Sequence, residues 1–212
     1  MTSIVVFRRS DPEPVVHLAT DSRAIDERGE ASSTVKTVTL PTIAAGLAVM
    51  GSTDVLTFLA TALMQMSASG TFEEAVRALP EALWRVQGIR SKAGAQGHQV
   101  AILAGIGRDG PRIFACATDP ASGIEPGISV DVGTFFAVPA TAQTYEMFRL
   151  PSDTSAINVK ADIPRLMEIQ REMDTEGHGG LPAKDLIGGA VVLTSIYARR
   201  IEQRIIGHLT SP

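Results

Sequence analysis

The chain has 212 residues, of which 44% are hydrophobic and 20% charged, with a formal net charge of −4. That length suits one domain, residues 1–212, with a sizeable core, since domains commonly run to ~100–200 residues. The acidic balance excludes a general attraction to nucleic acid or to an anionic membrane surface. The pairs Arg8-Arg9 and Arg199-Arg200 are too short to form a binding arm and read as a solvated face.

In chain order, SIVVFRR (3–9) and PVVHLAT (14–20) read as an antiparallel hairpin joined by the turn-forming SDPEP. Residues 26–33 are polar, contain Gly29 and read as a loop. Residues 35–40 alternate as a strand does, and 47–50 form a short apolar strand that ends at Gly51. A helix is expected over 54–66, capped by Thr53 or Asp54. Between Asp54 and Glu73 it meets no charge, which points to cover on more than one side, either at a subunit interface or by burial within the monomer. Thr71 opens a second helix to about 86, with Glu73 and Glu74 near its positive end and a turn or kink expected at Pro80.

SKAGAQG (91–97) reads as a connector. Strands follow over 100–107 and 112–118, joined by RDGP, and then a turn-rich loop over 119–127. Another strand is expected over 129–138 and a short helix over 141–148. Residues 151–161 read as irregular, 163–173 as a helix with Pro164 in its first turn, and 175–182 as a loop. A last strand pair, 190–196 and 201–206, surrounds Ala198-Arg199-Arg200. Helices segregated from antiparallel strands argue for an α+β class. No apolar run approaches the ~18 residues of a membrane span, and no signal segment is evident, so a cytoplasmic protein is expected.

Most chemistry-bearing motifs are missing or misplaced. The single cysteine, Cys116, lies in the strand-like IFACAT and reads as a small buried hydrophobe. The four histidines (His17, His98, His178 and His208) fit no metal-ligand spacing, and neither a metal nor a cofactor is expected. Residues 105–110 fit G-x-G-x-x-G, but the run that follows is β-like where a dinucleotide site needs a helix, so a hairpin is expected. GHGG at 177–180 could form an anion nest; a loop is the better reading.

Thr2 is different in kind. A hydroxyl needs an adjacent base to attack at neutral pH. An N-terminal threonine carries one, its own α-amine, with a pKa near ~7.7–8.0 in model peptides. Methionine aminopeptidase removes Met1 when a small residue such as threonine follows. A buried lysine nearby would keep the amine neutral, and a carboxylate would hold that lysine. Against this stands the plain reading that many proteins begin Met-Thr.

Four further stretches carry a family resemblance. LATDSRAID (18–26) resembles the second strand and Asp-Ser-Arg-Ala turn of proteasome β-type subunits. STVKTVTLP (33–41) resembles the strand bearing the family's lysine, and GLAVMGSTD (46–54) the strand ending at a glycine before the first helix. KDLIGGAVVLTSI (184–196) is similar to the Asp-x-x-Ser-Gly-Gly segment and its following strand. The resemblance is to N-terminal nucleophile threonine peptidases, including the bacterial two-component protease and the ancestral-type bacterial homologues.

That resemblance implies a four-layer αββα sandwich and a homo-oligomeric ring or double ring acting on peptides, with an ATPase partner left open. It implies Thr2 as nucleophile, freed by loss of Met1 alone, and Asp21 as the residue orienting the lysine. Arg23 and Asp185 would support them, and the Gly51 N–H would form the oxyanion hole. Ala24, Val49 and Thr53 would line a small to medium apolar substrate pocket. Counting from Gly51 selects Lys36 as the lysine; counting from Asp21 selects Thr37. Lys36 is preferred because only it carries a charge, and neighbouring strand residues face opposite sides. The chain departs from the pattern in a first hairpin longer by three residues, in Ile187 where the family has serine, and in Asp185, one residue too close to Gly188. The remaining supporting serine corresponds to Thr141 or to nothing. Two alternative readings follow: a catalytically silent assembly or binding module, and a small-molecule amidase on the same fold.

Overall fold

The first hairpin forms where two apolar runs flank the turn-forming SDPEP. In the computed structural model, β1 (Ile4–Arg9) pairs antiparallel with β2 (Val15–Asp21). The structure describes residues 2–209 apart from 27, 68, 96, 121–122, 152 and 174–180. Met1, the GHGG stretch and most of the expected 175–182 loop lie outside the described residues.

Successive residues of β1 face opposite sides, as strand geometry requires. Ile4 and Val6 join one apolar cluster, and Val5 and Phe7 join another. Burial on both faces explains why IVVF reads as an unbroken apolar run. β2 also pairs with β11 (Gly189–Ile196), and β11 with β12 (Ile201–Leu209). The fifth strand, β10 (Phe135–Val138), pairs with β1, so the sheet runs β10-β1-β2-β11-β12.

A second antiparallel sheet has the order β5-β6-β7-β8-β9. Its strands are β5 (Thr37–Leu40), β6 (Ala45–Met50), β7 (Val100–Gly107), β8 (Gly110–Ala117) and β9 (Val130–Asp131). The expected single strand over 129–138 is in fact two. β9 belongs to the second sheet and β10 to the first, with Gly133 at φ +83 between them. An apolar tally cannot see a strand change sheets. The polar loop expected over 26–33 likewise contains β4 (Ala31–Ser33), paired with β3 (Arg23–Ile25) in a small ribbon. Residues 105–110 form the β7–β8 hairpin, as the β-like run after them requires.

α1 (Thr53–Met66) and α2 (Phe72–Lys92) cover one face of the second sheet through Leu47, Val49, Leu59, Leu79, Leu83 and Leu103. The Thr71 hydroxyl caps α2 by accepting from Glu74 N–H. α2 runs through Pro80 and past residue 86 into the expected connector. Proline lacks the N–H that would bond the carbonyl four residues back. That carbonyl, Val76 C=O, instead accepts from the Ser129 hydroxyl at 2.8 Å. α3 (Ala142–Phe148), α4 (Asp162–Glu172) and the short α5 (Ala183–Leu186) lie with the first sheet, whose Val5, Phe7, Ala19 and Leu193 pack on Phe148, Leu166 and Met167. A third cluster joins the sheets directly: Ile4, Val6 and Leu18 from one meet Ala48, Ile102 and Ala115 from the other. Among the described residues, no helix is long and apolar enough to cross a membrane.

Candidate functional site

The site grows from the end of β2, a central strand of the first sheet. Asp21 N–H donates to Ser3 C=O at 3.3 Å, which extends the β1–β2 ladder and brings the start of the chain beside Asp21. On the other flank Val191 of β11 is the register partner of Asp21. A glycine admits the close approach there. Gly189 holds φ +77, and a Cβ on it would lie 2.6 Å from Ser22 Oγ, so a side chain is excluded by both conformation and space.

Asp21 is fully buried and well supplied with donors. Ser3 N–H donates to Oδ1 at 2.8 Å and Gly188 N–H to Oδ2 at 3.2 Å. Lys36 Nζ lies 3.1 Å from Oδ1 and 3.0 Å from Oδ2. Lys36 is 2% exposed, so the ion pair is dry. Burial pushes the Asp21 carboxyl above the ordinary carboxylate range, against the pull of Lys36 and the two backbone donors. Burial likewise pulls the Lys36 ammonium below the ordinary lysine range, while Asp21 opposes it. Such a lysine gives up its proton more readily than an exposed one.

Lys36 and its neighbour Thr37 meet different partners. Lys36 meets Asp21, whereas Thr37 starts β5 and its buried hydroxyl sits 3.4 Å from that of Thr20. Thr2 is buried and directly precedes Ser3, whose N–H shares the carboxylate that holds Lys36. Gly51 follows β6 at φ +143 and leads into α1.

The supporting positions fare unevenly. Arg23 stands beside the pair: its N–H donates to Gly188 C=O at 2.9 Å, and its Nε is buried without a hydrogen-bond partner among the described residues. Asp185 is half-buried in the turn of α5, and it is Gly188 from that segment that reaches Asp21. Thr141 is occupied elsewhere. Its hydroxyl caps α3 by accepting from Thr144 N–H, in a capping box with the Thr144 side chain. Ile187 is buried in the core under α4. Val49 packs into the core under α1, Thr53 is exposed at the start of that helix, and Ala24 is half-buried in β3.

Two buried glutamines escaped the sequence reading. Gln170, fully buried on α4, accepts from Ser3 Oγ at 2.5 Å and donates through Nε2 to Pro139 C=O at 3.0 Å and Ile4 C=O at 3.3 Å. It therefore clamps the start of the chain. A signal was available: with Ile163, Leu166 and Met167 it completes the i, i+3, i+4, i+7 apolar face of α4. Gln99, which accepts from Ser52 N–H at 3.1 Å, is distant in sequence from Gly51 and gave no such sign.

These elements define an α+β protein with a proteasome-like fold. In comparison with solved structures, the chain is similar to Anbu from Hyphomicrobium sp. strain MC1. A mutant of that protein superposes with a TM-score of 0.68 at 14% identity, over 98% of this chain and 87% of that one. A second Anbu structure gives 0.67 at 11%, over 97% and 87%. No family model matches the chain, and no curated protein matches it.

Proposed function

We propose that the chain is a threonine-type peptidase with Thr2 as its N-terminal nucleophile once Met1 has been removed. The observation that carries this reading is the dry Asp21–Lys36 pair whose carboxylate also takes the N–H of Ser3, the residue after Thr2. A buried lysine held by a carboxylate is costly to a fold and is the kind of group that active sites retain.

In this mechanism the Thr2 Oγ attacks the scissile carbonyl carbon, and its proton passes to the free Thr2 α-amine. Lys36 keeps that amine neutral by its charge, and Asp21 holds Lys36. The Gly51 N–H donates to the oxyanion of the tetrahedral intermediate, a contribution of typically ~10²–10³ in rate. The amine then protonates the leaving nitrogen as the C–N bond breaks. Water, deprotonated by the same amine, releases the acyl group from Oγ. Arg23 and Asp185 support the site, and Ala24, Val49 and Thr53 shape the substrate pocket.

On this reading residues 1–212 form one domain, and the three apolar clusters are the three seams of a four-layer αββα sandwich. The protein works in the cytoplasm as a homo-oligomeric ring. Support for self-association comes from Phe58 and Met64, exposed at 56% and 43% on the charge-poor α1.

The test is intact mass followed by reaction with a threonine-directed β-lactone, on protein made in its own host without an N-terminal tag. Loss of Met1, one acyl adduct on Thr2 and none on Thr2→Ala are expected. Full retention of Met1, or equal labelling of Thr2→Ala, would overturn the proposal.

A further inference from the structure

We infer that Gln99 is a positioning residue for the Gly51 backbone donor; the inference rests on the peptidase reading. Gly51 holds φ +143, a conformation open to glycine and rarely to other residues. A Cβ built on it would fall 1.9 Å from Gln99 Oε1 and 2.6 Å from Gln99 Cδ. The Gln99 carboxamide therefore fills the space that a side chain at 51 would need. The same oxygen accepts from Ser52 N–H at 3.1 Å. One atom thus packs against Gly51 and holds the peptide that follows it.

Gln99 is braced in turn. Its N–H donates to Thr118 Oγ1 at 2.9 Å, and its C=O accepts from Thr118 N–H at 3.0 Å. Its Nε2 donates to Gly97 C=O at 3.4 Å, and the residue is 2% exposed. Met50 and Val100 are register partners, so the β6–β7 ladder sets Gln99 beside Gly51.

An oxyanion donor stabilises charge only if it is aimed before that charge appears. Glycine at positive φ is the backbone unit least able to hold its own direction. A polar brace on the next N–H supplies that direction, and displacement of a reacting group by ~1 Å can cost ~10²-fold. Gln99 touches neither the substrate nor Thr2 in this account; it acts through Gly51.

The experiment measures the maximal rate of β-lactone acylation and the half-saturating lactone concentration, with melting temperature, for the wild type, Gln99→Leu and Gln99→Glu. Gln99→Leu keeps the size and removes the acceptor. Its acylation rate is expected to fall by ~10–100-fold with half-saturation within about twofold of wild type. Gln99→Glu keeps the acceptor but sets a carboxylate beside the developing oxyanion. Its deficit relative to wild type is expected to shrink as pH falls and that carboxyl takes a proton, a pH dependence that mere space-filling would not produce. If Gln99→Leu does not fold, Gln99→Met reads the same quantity. Wild-type rates in the leucine or methionine variant, with the wild type labelled on Thr2, would overturn the role of Gln99 and leave the peptidase reading intact. No labelling of wild-type Thr2 would overturn both.

Discussion

Replacing Lys36 with methionine tests the centre of the site. The substitution keeps a long unbranched chain and removes the ammonium 3.0 Å from Asp21 Oδ2. Asp21, 0% exposed, is left without its counter-charge. Breaking a buried pair from one side typically costs ~3–5 kcal/mol. Asp21 keeps the N–H donors of Ser3 and Gly188, which places the loss at the lower end, about 3 kcal/mol at pH 8. In the variant, burial acts on the carboxyl without the opposing lysine, so its folded pKa lies above the unfolded one. The folded state then binds a proton more readily than the unfolded chain, and the deficit shrinks as pH falls through the carboxyl's range. Urea titrations at pH 8 and near pH 5 measure this, with Asp21→Asn/Lys36→Met as the control that removes both charges. The double variant should recover most of the loss. A single-variant deficit under about 1 kcal/mol, or one unchanged between the two pH values, would refute the buried-pair argument.

Two further outcomes follow from buried polar groups. His17 is buried beside Phe7 with Nδ1 3.0 Å from Ser195 Oγ, and desolvation, aided by Arg9 and Arg204, lowers its pKa from 6.5 to about 4. The folded state disfavours the charged ring, so stability is full above the unfolded pKa and is lost as pH falls from 6.5 toward 4, by about 3 kcal/mol in all. His17→Gln, followed by urea titration across that window, should remove this part of the slope. Gln170→Leu strips partners from Ser3 Oγ and from the carbonyls of Ile4 and Pro139, and should cost about 1–3 kcal/mol. The same variant should slow lactone labelling of Thr2 if that clamp fixes the nucleophile.

Sequence alone determined the local structure wherever one residue pattern sufficed. The apolar runs on either side of SDPEP gave the first hairpin, Thr71 with Glu74 gave the start of α2, and the segregation of helices from antiparallel strands gave the α+β class. The candidate site residues were named only through resemblance, because Asp21 and Lys36 are ordinary polar residues until a fold buries them together. Tertiary structure decided the rest. It set the Lys36 ammonium against the Asp21 carboxylate and the Thr37 hydroxyl against that of Thr20. It moved Thr141 to a helix cap, and it split 129–138 between two sheets. It also carried α2 through Pro80, because Ser129, distant in sequence, serves the carbonyl that proline leaves unbonded. It brought in Gln99 and Gln170, whose value lies in partners on other elements. Periodicity records which face of an element is buried. It does not record what that face meets, and that is settled only when the sheets and helices close on one another.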